Sequence, residues 1–171
     1  MTNYRKNISL LLFCSIIAVA SMSAQKYGYI NSTLLLTELP DVKAADAELQ
    51  TYQKQLISKG EQMVKTFETK YTKYSTEAQS GEFSPLQIQQ KEGELAAEQE
   101  KIKQYEVTVQ NQIGAKREEL YKPILDKVRV AVDEMGKAQG YTMIFDTSGG
   151  ALLYAEESSD LMTAVKAKLG L

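Results

Sequence analysis

Apolar residues recur along this chain at alternating three- and four-residue steps, in two long runs separated by one breaker. The first run sets Val42, Ala45, Leu49, Tyr52 and Leu56 on one helical face, the spacing of a coiled-coil seam. The seam stutters at Lys59 and Gly60 and resumes at Met63, Phe67, Tyr71, Tyr74 and Ala78. Residues 80–85, Ser-Gly-Glu-Phe-Ser-Pro, then interrupt the pattern. The second run has Ile88, Leu95, Ile102 and Val109 at strict seven-residue spacing. Ile113, Leu120, Ile124, Val128, Val132 and Met135 continue it. Two long helices joined by a short turn predict an antiparallel hairpin with its tip at 80–85. Folding about that tip sets Ala78 near Ile88, Tyr71 near Leu95, Met63 near Ile102 and Leu56 near Val109. The first helix, 41–79, would be about 58 Å long at 1.5 Å per residue.

Charges support the same register. Lys54, Lys59, Lys65, Lys70 and Lys73 fall opposite Glu92, Glu94, Glu98, Glu100 and Glu106, exposed pairs that select alignment more than they stabilise. Asp41, after Pro40, is placed to cap the first long helix. Gly60 costs a helix interior about 1 kcal/mol relative to Ala, and Pro123 removes a backbone donor from the second helix. Gly60 and Pro123 are therefore the expected hinges, and Gly140 the expected C-cap.

The ends differ in pattern. Residues 26–31, Lys-Tyr-Gly-Tyr-Ile-Asn, are short and aromatic and predict a strand, followed by a short helix through Leu34, Leu35 and Leu36. Residues 141–146 and 151–155 flank Thr147-Ser148-Gly149-Gly150 and predict a β-hairpin. Ser158, Ser159 or Asp160 would cap a last helix bearing Leu161, Val165 and Leu169.

The first 24 residues have a basic start at Arg5 and Lys6, an apolar stretch from Ile8 to Ala20, and small residues to Ala24. That is the pattern of a cleaved signal peptide, so the chain is expected in the periplasm of a bacterium, or secreted in another host. The single cysteine, Cys14, lies within the apolar stretch. Its removal leaves no disulfide, and stability must come from packing or association. Loss of Arg5 and Lys6 makes the formal net charge of −2 more negative by two. Mild acidity argues against nucleic acid or anionic lipid as partner, and no further apolar stretch predicts stable membrane insertion.

Catalytic chemistry finds little material. There is no histidine, no cysteine after processing, and no glycine loop feeding a phosphate-facing helix. The acidic run Glu92, Glu94, Glu98 and Glu100 lacks the alternation of a calcium loop and reads as a solvated helix face. Gly149-Gly150 reads as a turn. No enzyme, cofactor or metal is expected.

These pieces, in this order, resemble the Skp/OmpH family of periplasmic chaperones. The residues that carry the likeness are Tyr29-Ile30-Asn31, Leu34 to Pro40, Val132, Gly140 to Asp146, Leu153-Tyr154 and Asp160 to Leu169. The resemblance implies an α+β, mostly α fold: a long antiparallel coiled-coil hairpin arm, 41–139, on a small β-body. Residues 25–40 and 140–171 would form that oligomerisation body in a homotrimer. Tyr29, Ile30, Ile144, Phe145, Leu152, Leu153 and Tyr154 would build it. It further implies an ATP-independent holdase that keeps unfolded outer-membrane proteins between its arms. Well-known members are strongly basic whereas this chain is acidic, so no lipopolysaccharide site is carried over.

For such a role the arm aromatics Tyr52, Phe67, Tyr71, Tyr74 and Tyr105 either pack within the seam or leave a rim for clients. Phe83, in the breaker with no expected partner layer, is the sharpest candidate for an exposed aromatic. The rival reading is a non-catalytic coiled-coil adaptor or spacer of an envelope assembly, which the small flanking segments disfavour.

Overall fold

The computed structural model describes residues 25–150 and 152–171; the expected signal peptide lies outside them. In chain order the elements are β1 (Lys26–Ile30), α1 (Ser32–Glu38), α2 (Pro40–Gln79), α3 (Pro85–Gln139), β2 (Tyr141–Asp146), a 3-10 turn (Glu157–Ser159) and α4 (Met162–Leu169). They fall into two compact units. Of the described residues, one unit takes 25–32 and 131–170 and the other takes 33–130.

In the second unit, α2 and α3 form the predicted hairpin. Pairings run in opposite directions along the two helices: Tyr74 with Glu92, Lys70 with Glu98, Glu48 with Lys116, and Asp41 with Lys127. Placing Met63 opposite Ile102 predicts Gly60 beside Tyr105, and that is where the Tyr105 ring lies. Buried side chains gather at the end of the hairpin away from the turn: Leu35, Leu39, Val42, Ala45, Leu49, Ile124 and Val128. Beyond Leu49 the seam toward the tip is only half-buried, as two helices alone cannot enclose their apolar faces.

The helix ends are set by local chemistry. Asp41 is not the N-cap of α2; Leu39 holds that place in extended conformation and Pro40 is the first helical residue. Proline suits this position because its missing N–H has no helical partner there anyway. At the tip Gly81 turns the chain at φ 75°. Ser84 and Gln87 then exchange hydrogen bonds, Ser84 N–H to Gln87 Oε1 at 2.9 Å and Gln87 N–H to Ser84 Oγ at 3.4 Å. This reciprocal box, with Pro85 following, starts α3. Both long helices run unbroken, α2 through Gly60 and α3 through Pro123.

The expected row of five cross-helix lysine–glutamate pairs is realised only at Lys70–Glu98, 2.6 Å. Lys73 turns to Glu77 on its own helix, and Glu94 to Lys91. Pairs within one helix fix shorter stretches of chain and compete on equal terms with exposed cross-helix pairs.

In the first unit β1 and β2 pair in parallel, with Tyr27 opposite Met143, Tyr29 opposite Phe145 and Ile30 opposite Asp146. The other edge of β1 is closed by a bridge from Tyr29 to Asp160 and by the Leu161 N–H, which donates to the Tyr29 carbonyl at 2.9 Å. Ile30, Ala131, Met135, Leu161 and Val165 are the buried apolar residues of this unit.

The predicted β-hairpin does not form. Gly150 N–H closes the turn onto Thr147 at 3.1 Å with φ 69°, yet residues 152–155 take no strand. Leu153 and Tyr154 are 99% and 80% exposed. A third strand within one chain would bury neither side chain, and a bare two-stranded ladder is marginal in water.

Asp146 ties the end of β2 to the start of α1. Its carboxylate accepts Ser32 N–H at 3.1 Å, Ser32 Oγ–H at 2.5 Å and Ser148 N–H at 3.0 Å. None of the three residues expected to cap the last helix holds the N-cap, which is Leu161 with no side-chain cap bond; Asp160, one residue earlier, accepts Met162 N–H at 2.8 Å. The Met162 sulfur in turn accepts the Asn31 N–H at 3.4 Å.

Candidate functional site

The hairpin divides the six candidate aromatics of the arm by accessibility. Tyr105 is a seam residue. Its ring edge would lie 3.4 Å from a Cβ added at Gly60, and its hydroxyl donates to the Leu56 carbonyl at 3.0 Å. Gly60 is thus a seam position whose missing side chain is replaced by a tyrosine from the facing helix. Tyr52 and Phe67 are half-buried along the same seam.

Tyr71 departs from the expected layer opposite Leu95. It is more than half exposed and stacks on Phe67, ring centroids 6.2 Å apart. The geometry is helical: i and i+4 are neighbours on one face, so Phe67 carries Tyr71 outward at the rim of the seam.

Phe83 also departs from expectation, because it has a partner. Its ring stacks on Tyr74 at 6.2 Å and 14°, and the Tyr74 hydroxyl donates to Glu92 Oε1 at 2.9 Å. That bond raises the Tyr74 pKa above its ordinary value, with burial adding to the rise. The exposed apolar side chain of the tip is instead Leu86, one residue into α3. Tyr74 and Phe83 with Leu95, Lys70, Lys73 and Lys101 border an open groove of about 580 Å³ near the tip. Its lysines are largely matched by Glu77, Glu94 and Glu98, so the groove presents apolar and aromatic area more than net charge.

Two further exposed apolar residues of α2, Ile57 and Val64, escape a reading based on aromatics. Their spacing to Tyr71, seven residues each time, is the signal that finds them.

The body residues are also divided. Ile30 is buried, Tyr29 and Ile144 half-buried, Phe145 substantially exposed, and Leu152 half-buried beside exposed Leu153 and Tyr154. Burial, with the nearby Asp160 and Glu157 carboxylates, raises the Tyr29 pKa. Among the described residues no group of three or more acidic, histidine or cysteine side chains is placed to hold a metal ion. Among them also, no helix is long and apolar enough to cross a membrane.

Comparison with known proteins agrees with this architecture. The family described as "Outer membrane protein (OmpH-like)" matches residues 26–169. A crystal structure of a candidate outer membrane chaperone (OmpH-like) from Caulobacter crescentus CB15 is similar at a TM-score of 0.73 and 16% identity. The match covers 86% of this chain and 85% of that one; at that identity the likeness shows the fold alone. No curated protein matches.

Proposed function

The chain belongs to the OmpH-like family, a family of non-enzymatic chaperones, and we propose that it is an ATP-independent periplasmic holdase for unfolded outer-membrane proteins. Clients are held between helical arms, residues 41–139, that hang from an oligomerisation body of residues 25–40 and 140–171. The observation that carries this reading is the hairpin with a thin seam, whose tip half keeps apolar and aromatic side chains only half-buried. Such a surface grips many sequences weakly. Several shallow contacts on one client then add through effective concentration, and no single strong site is needed.

A homotrimer supplies the enclosure, and the open edge of β2 with Leu152, Leu153 and Tyr154 supports it. A strand beside β2 from another copy would find unpaired backbone groups there, and exposed edges of this kind invite pairing. The description of the family names the outer membrane, which favours barrel proteins in transit as clients.

The test is light scattering as a urea-unfolded outer-membrane barrel protein is diluted into buffer. Suppression near stoichiometric amounts without ATP is the expected result. Unchanged aggregation in the presence of the folded, oligomeric protein overturns the holdase reading and favours the adaptor.

A further inference from the structure

Within the hairpin unit the interiors of α2 and α3 carry four helix-weakening residues: Gly60, Gly93, Gly114 and Pro123. Two of them are held in place. The Tyr105 ring occupies the space beside Gly60, and its hydroxyl bonds the Leu56 carbonyl. Pro123 precedes Ile124 and Val128, which are buried at the same end of the hairpin as Leu39, Val42 and Ala45. Gly93 and Gly114 differ, because a Cβ at either would meet nothing within 4 Å. No close approach calls for glycine there, and in a helix interior glycine is less stable than alanine.

Bonds across the seam separate these two glycines. Gly93 is bracketed closely by Tyr74–Glu92 and Lys70–Glu98. Gly114 has Glu48–Lys116 toward the base, and the next bond toward the tip is Tyr105 to Leu56. Among the described residues no hydrogen bond or ion pair joins 49–55 to 106–115, where the seam holds half-buried Tyr52, Val109 and Ile113. The Glu48–Lys116 pairing sets Thr51 at the level of Gly114, and the Thr51 hydroxyl donates to the Ala47 carbonyl at 2.9 Å. A bond of this kind, back to i−4, competes with the helix ladder and favours bending. An open cleft of about 460 Å³ lies at the same level, bordered by Thr51, Tyr52, Gln55, Gln112 and Ala115. Continuous burial also ends here: Leu49 is the last buried residue of α2 on the way to the tip. Both helices thus weaken at one level, beside open space and directly above a packed, ion-paired base.

We propose that the hairpin has one joint, at Thr51 and Gly114, about which its tip segment swings on its base to fit clients of different size. The role in client fit rests on the holdase reading above. The base stays fixed because movement would uncover Val42, Ala45, Leu49, Ile124 and Val128, all buried. Beyond the joint, the Tyr105–Leu56, Lys70–Glu98 and Tyr74–Glu92 bonds keep the two helices together, so the tip segment moves as one piece. A hairpin clasped above and below an unclasped level opens there first, since local opening costs least where the fewest contacts break. The lever is long. From Gly114 to the turn is about 48 Å, so a bend of about 10° carries the tip about 8 Å.

The experiment is hydrogen–deuterium exchange read by mass spectrometry on the protein expressed from the full chain. Corrected for sequence, amides of 48–55 and 108–118 are expected to exchange about fivefold faster than those of 98–106 and 120–128. Gly114→Ala slows 108–118 by about fivefold, while Gly60→Ala and Gly93→Ala leave that segment unaffected. Uniform protection from 98 to 128 overturns the joint, as does fastest exchange around Gly93. Aggregation suppression then tests its use, with two unfolded barrel proteins, one about twice the length of the other. Gly114→Ala is expected to protect the shorter as wild type does and to need about threefold more protein for the longer. Gly93→Ala should match wild type for both. A Gly114→Ala variant that protects both as well as wild type overturns the role in client fit. A wild type that protects neither sinks the holdase reading and that role with it; uniform exchange in a wild type that does protect sinks the joint alone.

Discussion

The Tyr105 ring fills the place of the side chain that Gly60 lacks, and the Tyr105 hydroxyl caps the Leu56 carbonyl at 3.0 Å. One aromatic thus spans the seam at the point where the apolar spacing stutters. Gly60→Ala adds a Cβ at ordinary contact distance and gains helix propensity, so it is expected to stabilise the fold by about 0.5–1 kcal/mol in urea unfolding. Gly60→Leu must displace the ring and is expected to cost about 1–3 kcal/mol. Tyr105→Phe, which keeps the ring and loses only the hydrogen bond, is expected to cost about 0.5–1.5 kcal/mol. If Gly60 acts as a hinge, Gly60→Ala also narrows the spread of arm conformations in solution scattering.

Gly28 meets Leu161 where the body is tightest. A Cβ at Gly28 would fall 2.4 Å from Leu161 Cδ1 and 3.0 Å from the Tyr141 ring, and Leu161 is buried. Gly28→Ala is expected to destabilise by about 1–3 kcal/mol through overpacking, with Leu161→Ala in the same chain restoring part of the loss. A Gly28→Ala variant with unchanged melting temperature would refute the close approach.

Acid should loosen the junction between β2 and α1. Burial of Asp146 works to raise its pKa, but hydrogen bonds from Ser32 and Ser148 outweigh it and hold the carboxyl at about 2. A carboxylate with a lowered folded pKa stabilises the fold above its unfolded pKa, and that stability is lost as pH falls through the folded value. The Asp146 contribution is therefore full above about pH 4 and fades toward about pH 2. Thermal melts of Asp146→Asn across that window are expected to show a shallower decline than wild type.

Leu153 and Tyr154 test the proposed body. Both are exposed within one chain, so Leu153→Ser with Tyr154→Ser should leave the helical circular dichroism signal intact while shifting sedimentation toward smaller species. Unchanged sedimentation would place the subunit contacts elsewhere.

Much of the hairpin was legible because its signals are local. The heptad lines, the breaker at 80–85 and Gly140 each act within a turn or two of helix, and the observed register follows from folding one pattern on the other. The aromatics were harder. Phe83 lies outside any periodic run, so its stack on Tyr74 depends on how the tip turns, and Tyr71 lies at the rim because it shares the exposed line of Ile57 and Val64, beside the half-buried line of Gly60, Phe67 and Tyr74.

Helices, tip and alternating faces, then, are written in spacing and composition, since a helix is closed by bonds between residues four apart. The sheet is not. β1 finds β2 in parallel across the whole hairpin, joining Ser32 to Asp146 over 114 residues. That pairing, the closed edge at Asp160, and the failure of 152–155 to ladder depend on what each strand can bury once the chain has folded. No local pattern contains that information, because strand bonds are made between segments and not within them.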